Sequence, residues 1–199
     1  TLLPGTLMAV ILGSSIVGSE GERIWYLHSL PLSAKSLVKA KHSFATLFSL
    51  VVTLICSVIG GLLIAPSVSM VAIGLIEGVF LVFSLGMVSL TFGIKGADFR
   101  EFPRPRMIRP IWGLVNMIVS IIAGLAIVSP IIPYGLKLMF ETSEGWLKML
   151  ITAIMPVCLP EYYLYVAVLI SGVIAAIITY VFRKMALNNA EQLLAKAEG

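Results

Sequence analysis

The sequence predicts an all-α integral membrane protein, a polytopic transmembrane bundle of about five helical spans. Of its 199 residues, 59% are hydrophobic and 12% are charged, and the mean hydropathy is +1.03. Soluble domains average about 45–50% apolar and about 25% charged residues, and a soluble chain of this length cannot bury so much apolar surface. The apolar runs are continuous and reach the roughly 17–25 residues that a spanning helix needs, which favours helices over a barrel.

The apolar runs predict one transmembrane domain that covers residues 1–199. The expected spans are about 2–18, 45–65, 68–94, 111–133 and 162–182. The chain begins at Thr1 in an apolar run, with neither a basic n-region nor a small-residue cleavage site. We interpret this start as a cut inside a larger protein, so the domain is expected to be N-terminally truncated.

The positive charges predict the orientation of the bundle. All of the 14 Lys and Arg residues except Lys137 and Lys148 lie in three segments, which are 19–44, 95–110 and 183–199. Basic segments stay on the cytoplasmic side of a membrane. We therefore expect these three segments in the cytoplasm, and the cell (plasma or inner) membrane as the location.

The same charge pattern decides how residues 146–160 are interpreted. This segment is apolar, but it is short for a span and contains Pro156 and Pro160. A further crossing there would place Arg183 and Lys184 outside, against the positive-inside rule. It is therefore predicted to be a re-entrant or interfacial helix on the outer face.

The segment after the first span has the pattern of a helix lying on the membrane surface. Ile24, Leu27 and Leu30 recur at helical spacing, and Pro31 ends the pattern. Ser33 is predicted to cap a second helix, which continues into the next span through Lys35, Lys39 and Lys41. Two interpretations are open, a solvated loop anchored on lipid headgroups and a docking element for a cytosolic partner.

This stretch, GSEGERIWYLHSLPLSAKSLVKAKH, resembles the first cytoplasmic loop of the type 2 group of ATP-binding-cassette (ABC) exporter permeases. The shared features are an acidic Glu20-Gly21-Glu22 after a span, a Ser-Leu-Pro-Leu-Ser turn at 29–33, and a lysine-bearing helix that enters the next span. The basic loop DFREFPRPRMIRP is similar to loops of prokaryotic members.

The resemblance implies a permease subunit without its own ATPase. Its expected partners are a cytosolic ABC ATPase subunit, which binds the ATP and Mg²⁺, a second permease subunit in a homo- or heterodimer, and the lipid bilayer. No nucleic acid is expected. The resemblance assigns the ATPase contact to the coupling helix in the loop, with candidates Glu20, Gly21, Glu22, Arg23, Trp25, Leu27, Leu30 and Pro31.

No motif in the chain predicts catalysis, a metal or a cofactor. The P-loop pattern G-x-x-x-x-G-K-[ST] and the metalloprotease pattern H-E-x-x-H are both missing from the sequence. His28 and His42 are too far apart for a local metal pair, and Cys56 and Cys158 lack metal-ligand spacing. We therefore predict that the protein is not an enzyme.

One ionisable residue, Glu77, lies inside a predicted span. Such residues are functional candidates because a charge in hydrocarbon is costly. Glu77 lies between Gly74 and Gly78, whose GxxxG spacing permits close helix contact, and Asn116 is a weaker candidate in the fourth span. These residues are predicted to line either a substrate route or a helix interface, and the alternative is a protonated or hydrogen-bonded Glu used only for packing.

The most direct prediction of function is the permease subunit of an ABC exporter. The alternatives are a fragment of a secondary transporter, for which one intramembrane Glu is thin support, and a non-catalytic membrane scaffold. The substrate is open among lipids, peptides, hydrophobic drugs and polysaccharides.

Overall fold

The computed structural model describes residues 2–18, 33–64, 68–97, 110–135 and 162–195. These ranges are helical and contain no strand. The five helices are α1 (Leu2–Gly18), α2 (Ala34–Ile64), α3 (Val68–Gly96), α4 (Pro110–Val128) and α5 (Tyr162–Ala195).

The helices form a membrane bundle. Four of them, α2 to α5, are long and apolar enough to cross a bilayer, while α1 is a shorter apolar helix of 17 residues. Large hydrophobic side chains on α2, α4 and α5 point away from the bundle, as Leu63 (80% exposed), Leu125 (60%) and Leu169 (70%) show. Because lipid is the solvent for such faces, the exposure is expected for a membrane protein.

Helix α3 is the centre of the bundle and packs against the four other helices. Half of its most apolar stretch is buried, against 22% or less in α2, α4 and α5. Its side chains therefore make most of the contacts that hold the bundle together.

The side-chain contacts define the direction of each helix. Glu77 pairs with Ser171 and Thr91 with Phe182, so α3 and α5 run parallel. The antiparallel arrangement of α3 with α2 and α4 follows from the contacts of His42 with Phe83, Gly61 with Val71 and Trp112 with Phe92.

The helix ends that border the three basic segments lie at one end of the bundle, which we call the basic end. Val17 at the end of α1, Ala34 at the start of α2 and Ile94 at the end of α3 pack in one cluster with residues of α5. Lys95 lies 4.5 Å from the ring centroid of Trp112, which joins the end of α3 to the start of α4. The common side predicted from the charges therefore agrees with the positions of these helix ends.

At the opposite end, the hydroxyl of Tyr163 donates a hydrogen bond to Pro130 O over 3.2 Å. The end of α4 and the start of α5 are thus neighbours. The re-entrant or interfacial helix predicted at 146–160 lies outside the described residues.

The predicted cap at the start of α2 is confirmed, whereas α4 and α5 end at other residues than the predicted spans do. Ser33 Oγ accepts a hydrogen bond from Ser36 N over 3.2 Å, so the predicted cap of α2 is present and the helix runs unbroken to Ile64. Helix α5 continues past the predicted span to Ala195. Helix α4 ends at Val128 rather than near 133, because Pro130 has no N–H with which to continue the ladder.

Candidate functional site

Three buried polar side chains recur every seven residues along α3. Glu77, Ser84 and Thr91 are 3% exposed or less. Since seven residues make almost two helical turns, the three side chains lie on one face of the helix, and that face contacts α5. We call this row of residues and its partners on α5 the polar seam.

In the middle of the seam and towards the basic end, hydroxyl groups of α3 contact backbone carbonyls of α5. Ala175 O accepts hydrogen bonds from Ser84 Oγ (3.1 Å) and from Thr179 Oγ1 (2.8 Å), and the two hydroxyl oxygens are 3.2 Å apart. Thr91 Oγ1 lies 3.0 Å from Phe182 O on α5 and 2.8 Å from Met87 O in its own helix, so the two carbonyls share its one proton. In return, Asn189 Nδ2 donates to Thr91 O over 3.4 Å.

At the end of the seam farthest from the basic end, side chains join the three helices α3, α4 and α5. Ser171 Oγ lies 3.0 Å from Glu77 Oε2 and also contacts Ile127 O in the last turn of α4. Carbonyls in a last helical turn have lost their intrahelical partners, so Ser171 takes the place of a backbone donor. Glu77 Oε1 is buried and has no hydrogen-bond partner. Among the described residues, Ser49 Oγ is the only other buried side-chain nitrogen or oxygen atom without one.

Asn116, the other polar candidate, belongs to a separate contact between α3 and α4. It is 4% exposed, and its Oδ1 accepts a hydrogen bond from Ser120 Oγ over 3.3 Å. Ser120 Oγ lies 3.5 Å from Ser89 Oγ on α3. Both Asn116 and Glu77 therefore lie at helix interfaces, but they have different partners and stand in opposite halves of the bundle.

The two glycines beside Glu77 differ in their surroundings. Gly78 is buried, whereas a Cβ atom at Gly74 would meet nothing within 4 Å. The close helix contact that the GxxxG spacing permits is not formed at Gly74 within the described chain. Close approaches at glycines lie instead along α1, to α3 at Gly13 and Gly93 and to α2 at Gly5.

His42 is a buried residue that the sequence did not single out as a site. Its Nε2 lies 3.1 Å from Phe83 O and 3.3 Å from Thr46 Oγ1, and its ring meets the Phe83 ring edge to face at 5.9 Å. Because a carbonyl only accepts hydrogen bonds, Nε2 carries a proton and donates it to Phe83 O. This bond fastens α2 to α3.

A signal for this site is present in the sequence. A buried polar residue recurs every three or four positions on α2, as a helix face requires. The row consists of His42, Thr46, Ser49, Thr53 and Ser57. His42 therefore continues a polar stripe inside an otherwise apolar helix.

The predicted ATPase-contact residues lie outside the described residues. They are Glu20, Gly21, Glu22, Arg23, Trp25, Leu27, Leu30 and Pro31. The structure gives the two helices that flank their segment, since α1 ends at Gly18 and Ser33 caps α2, both at the basic end.

Within 2–18, 33–64, 68–97, 110–135 and 162–195, no group of three or more His, Cys, Asp or Glu side chains could hold a metal ion. Glu77, Ser84 and Thr91 of α3 instead form hydrogen bonds with α5.

The fold and the polar seam define a polytopic α-helical membrane protein. No protein-family model, curated protein or solved structure matches the chain.

The polar seam makes a first testable prediction. Ser84→Ala should lower the free energy of unfolding by about 0.6 kcal/mol and by no more than about 1.7 kcal/mol, the range for interhelical hydrogen bonds in membranes. The measurement is unfolding in mixed detergent micelles with increasing SDS. Ser129→Ala is the control, because the Ser129 hydroxyl bonds only its own turn at Ala126 O. Equal losses in both variants would contradict a stabilising seam.

Proposed function

We propose that this chain is the membrane-spanning permease subunit of an ATP-binding-cassette exporter, in which a separate cytosolic ATPase drives transport. The proposal includes five spans, α1 among them, and places the basic end in the cytoplasm. The observation that carries it is the acidic Glu20-Gly21-Glu22 loop with its Ser-Leu-Pro-Leu-Ser turn. This loop joins two helices whose ends pack together at the basic end.

The proposed mechanism uses α2 as a rigid rod. Helix α2 has 31 residues, which is about 46 Å at 1.5 Å per residue. Its capped start at Ser33 follows the proposed coupling helix by two residues, so a push on that helix moves the whole rod. His42 then transmits the displacement to α3 through its bond to Phe83 O.

The C-terminal part of α5 supports a coupled movement of the helices at the basic end. Ala186 and Ala190 are fully buried against Val17, Ala34 and Ile94, which lie on the three other helices at the basic end. Because four helices share this contact, a displacement of α2 reaches α1, α3 and α5 together. In the proposed complex the ATPase subunits hold the ATP and Mg²⁺, and a second permease subunit completes the transport route.

The proposal is tested with the full chain co-expressed with a candidate ABC ATPase subunit from the same organism. Trp25→Ala and Glu22→Lys should reduce ATP hydrolysis to the rate of the ATPase alone, while the permease still purifies as a folded protein. Glu191→Lys is the matched control, because it reverses an exposed acidic charge on α5 beyond Arg183, outside the proposed contact. Unchanged stimulation in both loop variants would overturn the coupling assignment.

A proton-driven secondary transporter is the second candidate, favoured by the buried carboxyl of Glu77 with its unpaired oxygen. Transport by such a protein would follow a proton gradient in liposomes without any ATPase, and Glu77→Gln would abolish it. ATP-dependent transport that survives Glu77→Gln would exclude this candidate.

A further inference from the structure

The hydroxyl of Ser171 faces two oxygen atoms from two other helices. Ser171 is fully buried and Glu77 is 3% exposed. Ser171 Oγ contacts Glu77 Oε2, at 3.0 Å, and Ile127 O. All three oxygens lie within the bundle, out of reach of bulk water.

The number of protons decides which groups donate in this contact. A serine hydroxyl has one proton, and a backbone carbonyl can only accept. Ile127 O therefore takes the proton of Ser171, since two oxygens in contact without a proton between them would repel. A proton on Glu77 then completes the hydrogen bond between Glu77 Oε2 and Ser171 Oγ, whereas an ionised Glu77 would have to share the single proton of Ser171 with Ile127 O.

The unpaired oxygen agrees with this assignment. A carboxylate spreads its charge over both oxygens, so an ionised Glu77 would leave a charged Oε1 buried without a donor. In a carboxylic acid, Oε2 carries the proton and Oε1 is a neutral carbonyl oxygen. An unpaired neutral oxygen is much less costly to bury than an unpaired anionic one.

No cation in the described ranges compensates a negative charge on Glu77 by an ion pair. Of the helices packed against α3, α1 and α4 have no titratable side chain. On α2 the titratable groups are Lys35, Lys39, Lys41, His42 and Cys56. On α5 they are Tyr162, Tyr163, Tyr165, Tyr180, Arg183, Lys184 and Glu191. Of these, Cys56, Tyr162, Tyr163 and Tyr165 belong to the half of the bundle that contains Glu77.

We propose that Glu77 is a proton-binding site whose occupancy locks three helices together. The bound proton lets Glu77 of α3 donate to Ser171 of α5, which donates to Ile127 O of α4. Loss of the proton leaves one donor for two acceptors, so the contact with either α3 or α4 is lost. The inference stands apart from the proposed transport function, because it rests only on these three groups.

The first test measures the proton directly by infrared spectroscopy of the full chain in lipid nanodiscs at neutral pH. The wild-type protein should show the carbonyl stretch of a protonated carboxylic acid, and Glu77→Gln should remove it. Glu191→Gln should leave it, since Glu191 is exposed and is the only other acidic residue within the described residues. The proposal is overturned if the wild type lacks this band or if Glu77→Gln retains it.

Ser171→Ala provides a second readout that does not change the carboxyl. The band should persist and shift in frequency, because the carboxylic acid has lost its acceptor. A frequency identical to that of the wild type would contradict the Glu77–Ser171 bond. This variant also serves as the decisive one if Glu77→Gln does not fold.

A pH series tests the lock. Resistance of the wild-type protein to SDS unfolding should fall as the pH is raised, because the bond from Glu77 disappears with its proton. Glu77→Gln should show a smaller decline, since an amide N–H remains a donor at every pH. The lock is refuted if both proteins lose resistance equally over the series.

Discussion

Replacing Gly93 with alanine is expected to lower the free energy of unfolding by about 1–3 kcal/mol, the usual cost of overpacking a well-packed interior. A Cβ atom at Gly93 would lie 2.5 Å from Ser14 O and 3.0 Å from Gly13 O. Both atoms belong to the backbone of α1, so no side-chain rotation can make room. The two helices must move apart, and the contacts along their whole length are weakened.

Gly74→Ala is the matched control for this experiment. It is the same substitution in the same helix, but a Cβ atom at Gly74 meets nothing within 4 Å. Alanine also has the higher helix propensity, so the stability of this variant should be unchanged or slightly raised. SDS unfolding of both variants in mixed micelles gives the comparison. A Gly93→Ala protein as stable as Gly74→Ala would show that α1 does not pack closely on α3.

The close approach at Gly93 also explains how α1 joins the bundle. A Cβ atom at Gly13 would lie 2.9 Å from Gly86 O, so the contact is tight from both sides. Membrane helices gain no hydrophobic driving force from association in lipid, and close packing through small residues supplies part of the attraction. A helix of only 17 residues therefore makes the most extensive contact with the central helix.

The helices and their ends could be predicted from the sequence because each depends on local properties. Continuous apolar runs predict spans, and a serine before a helical segment predicts a cap. The confirmed cap at Ser33 belongs to this class. The charge pattern also predicted which helix ends lie together, because positive residues accumulate on one side of a membrane.

The polar seam could not be predicted because it depends on which helices are neighbours. Glu77 was recognised as a buried acid, but its partner Ser171 lies 94 positions away in the chain. The seven-residue spacing of Glu77, Ser84 and Thr91 was a signal that all three share one face. The identity of the facing helix came only from the structure.

The glycine pattern shows a similar limit. The GxxxG spacing of Gly74 and Gly78 is compatible with a close contact, but spacing alone does not say which face meets a neighbour. The structure places tight glycine contacts on α1 and its neighbours instead, at Gly5 against α2 and at Gly13 and Gly93 between α1 and α3. The proposed coupling residues 20–31 lie outside the described residues, so their assignment stays a prediction from the loop pattern.

His42→Ala is expected to lower the free energy of unfolding by about 1–3 kcal/mol, because it removes two interactions between α2 and α3. One is the hydrogen bond to Phe83 O at 3.1 Å, worth about 0.6–1.7 kcal/mol in membrane proteins. The other is the edge-to-face contact with the Phe83 ring at 5.9 Å, worth about 0.5–1.5 kcal/mol. SDS unfolding measures the sum, and Lys39→Ala, an exposed change on the same helix, should stay within about 0.5 kcal/mol.

The two interactions can be separated, because the hydrogen bond ends on the backbone of Phe83 and the ring contact on its side chain. In a Phe83→Leu background, His42→Ala should cost only the hydrogen-bond part, so the two substitutions should cost less together than the sum of the single variants. Fully additive losses would show that the ring contact contributes nothing. In the proposed exporter, His42→Ala should also weaken ATPase stimulation while the loop around Trp25 is intact, because the rod would then move without displacing α3. Full stimulation in a destabilised His42→Ala protein would leave His42 a purely structural role.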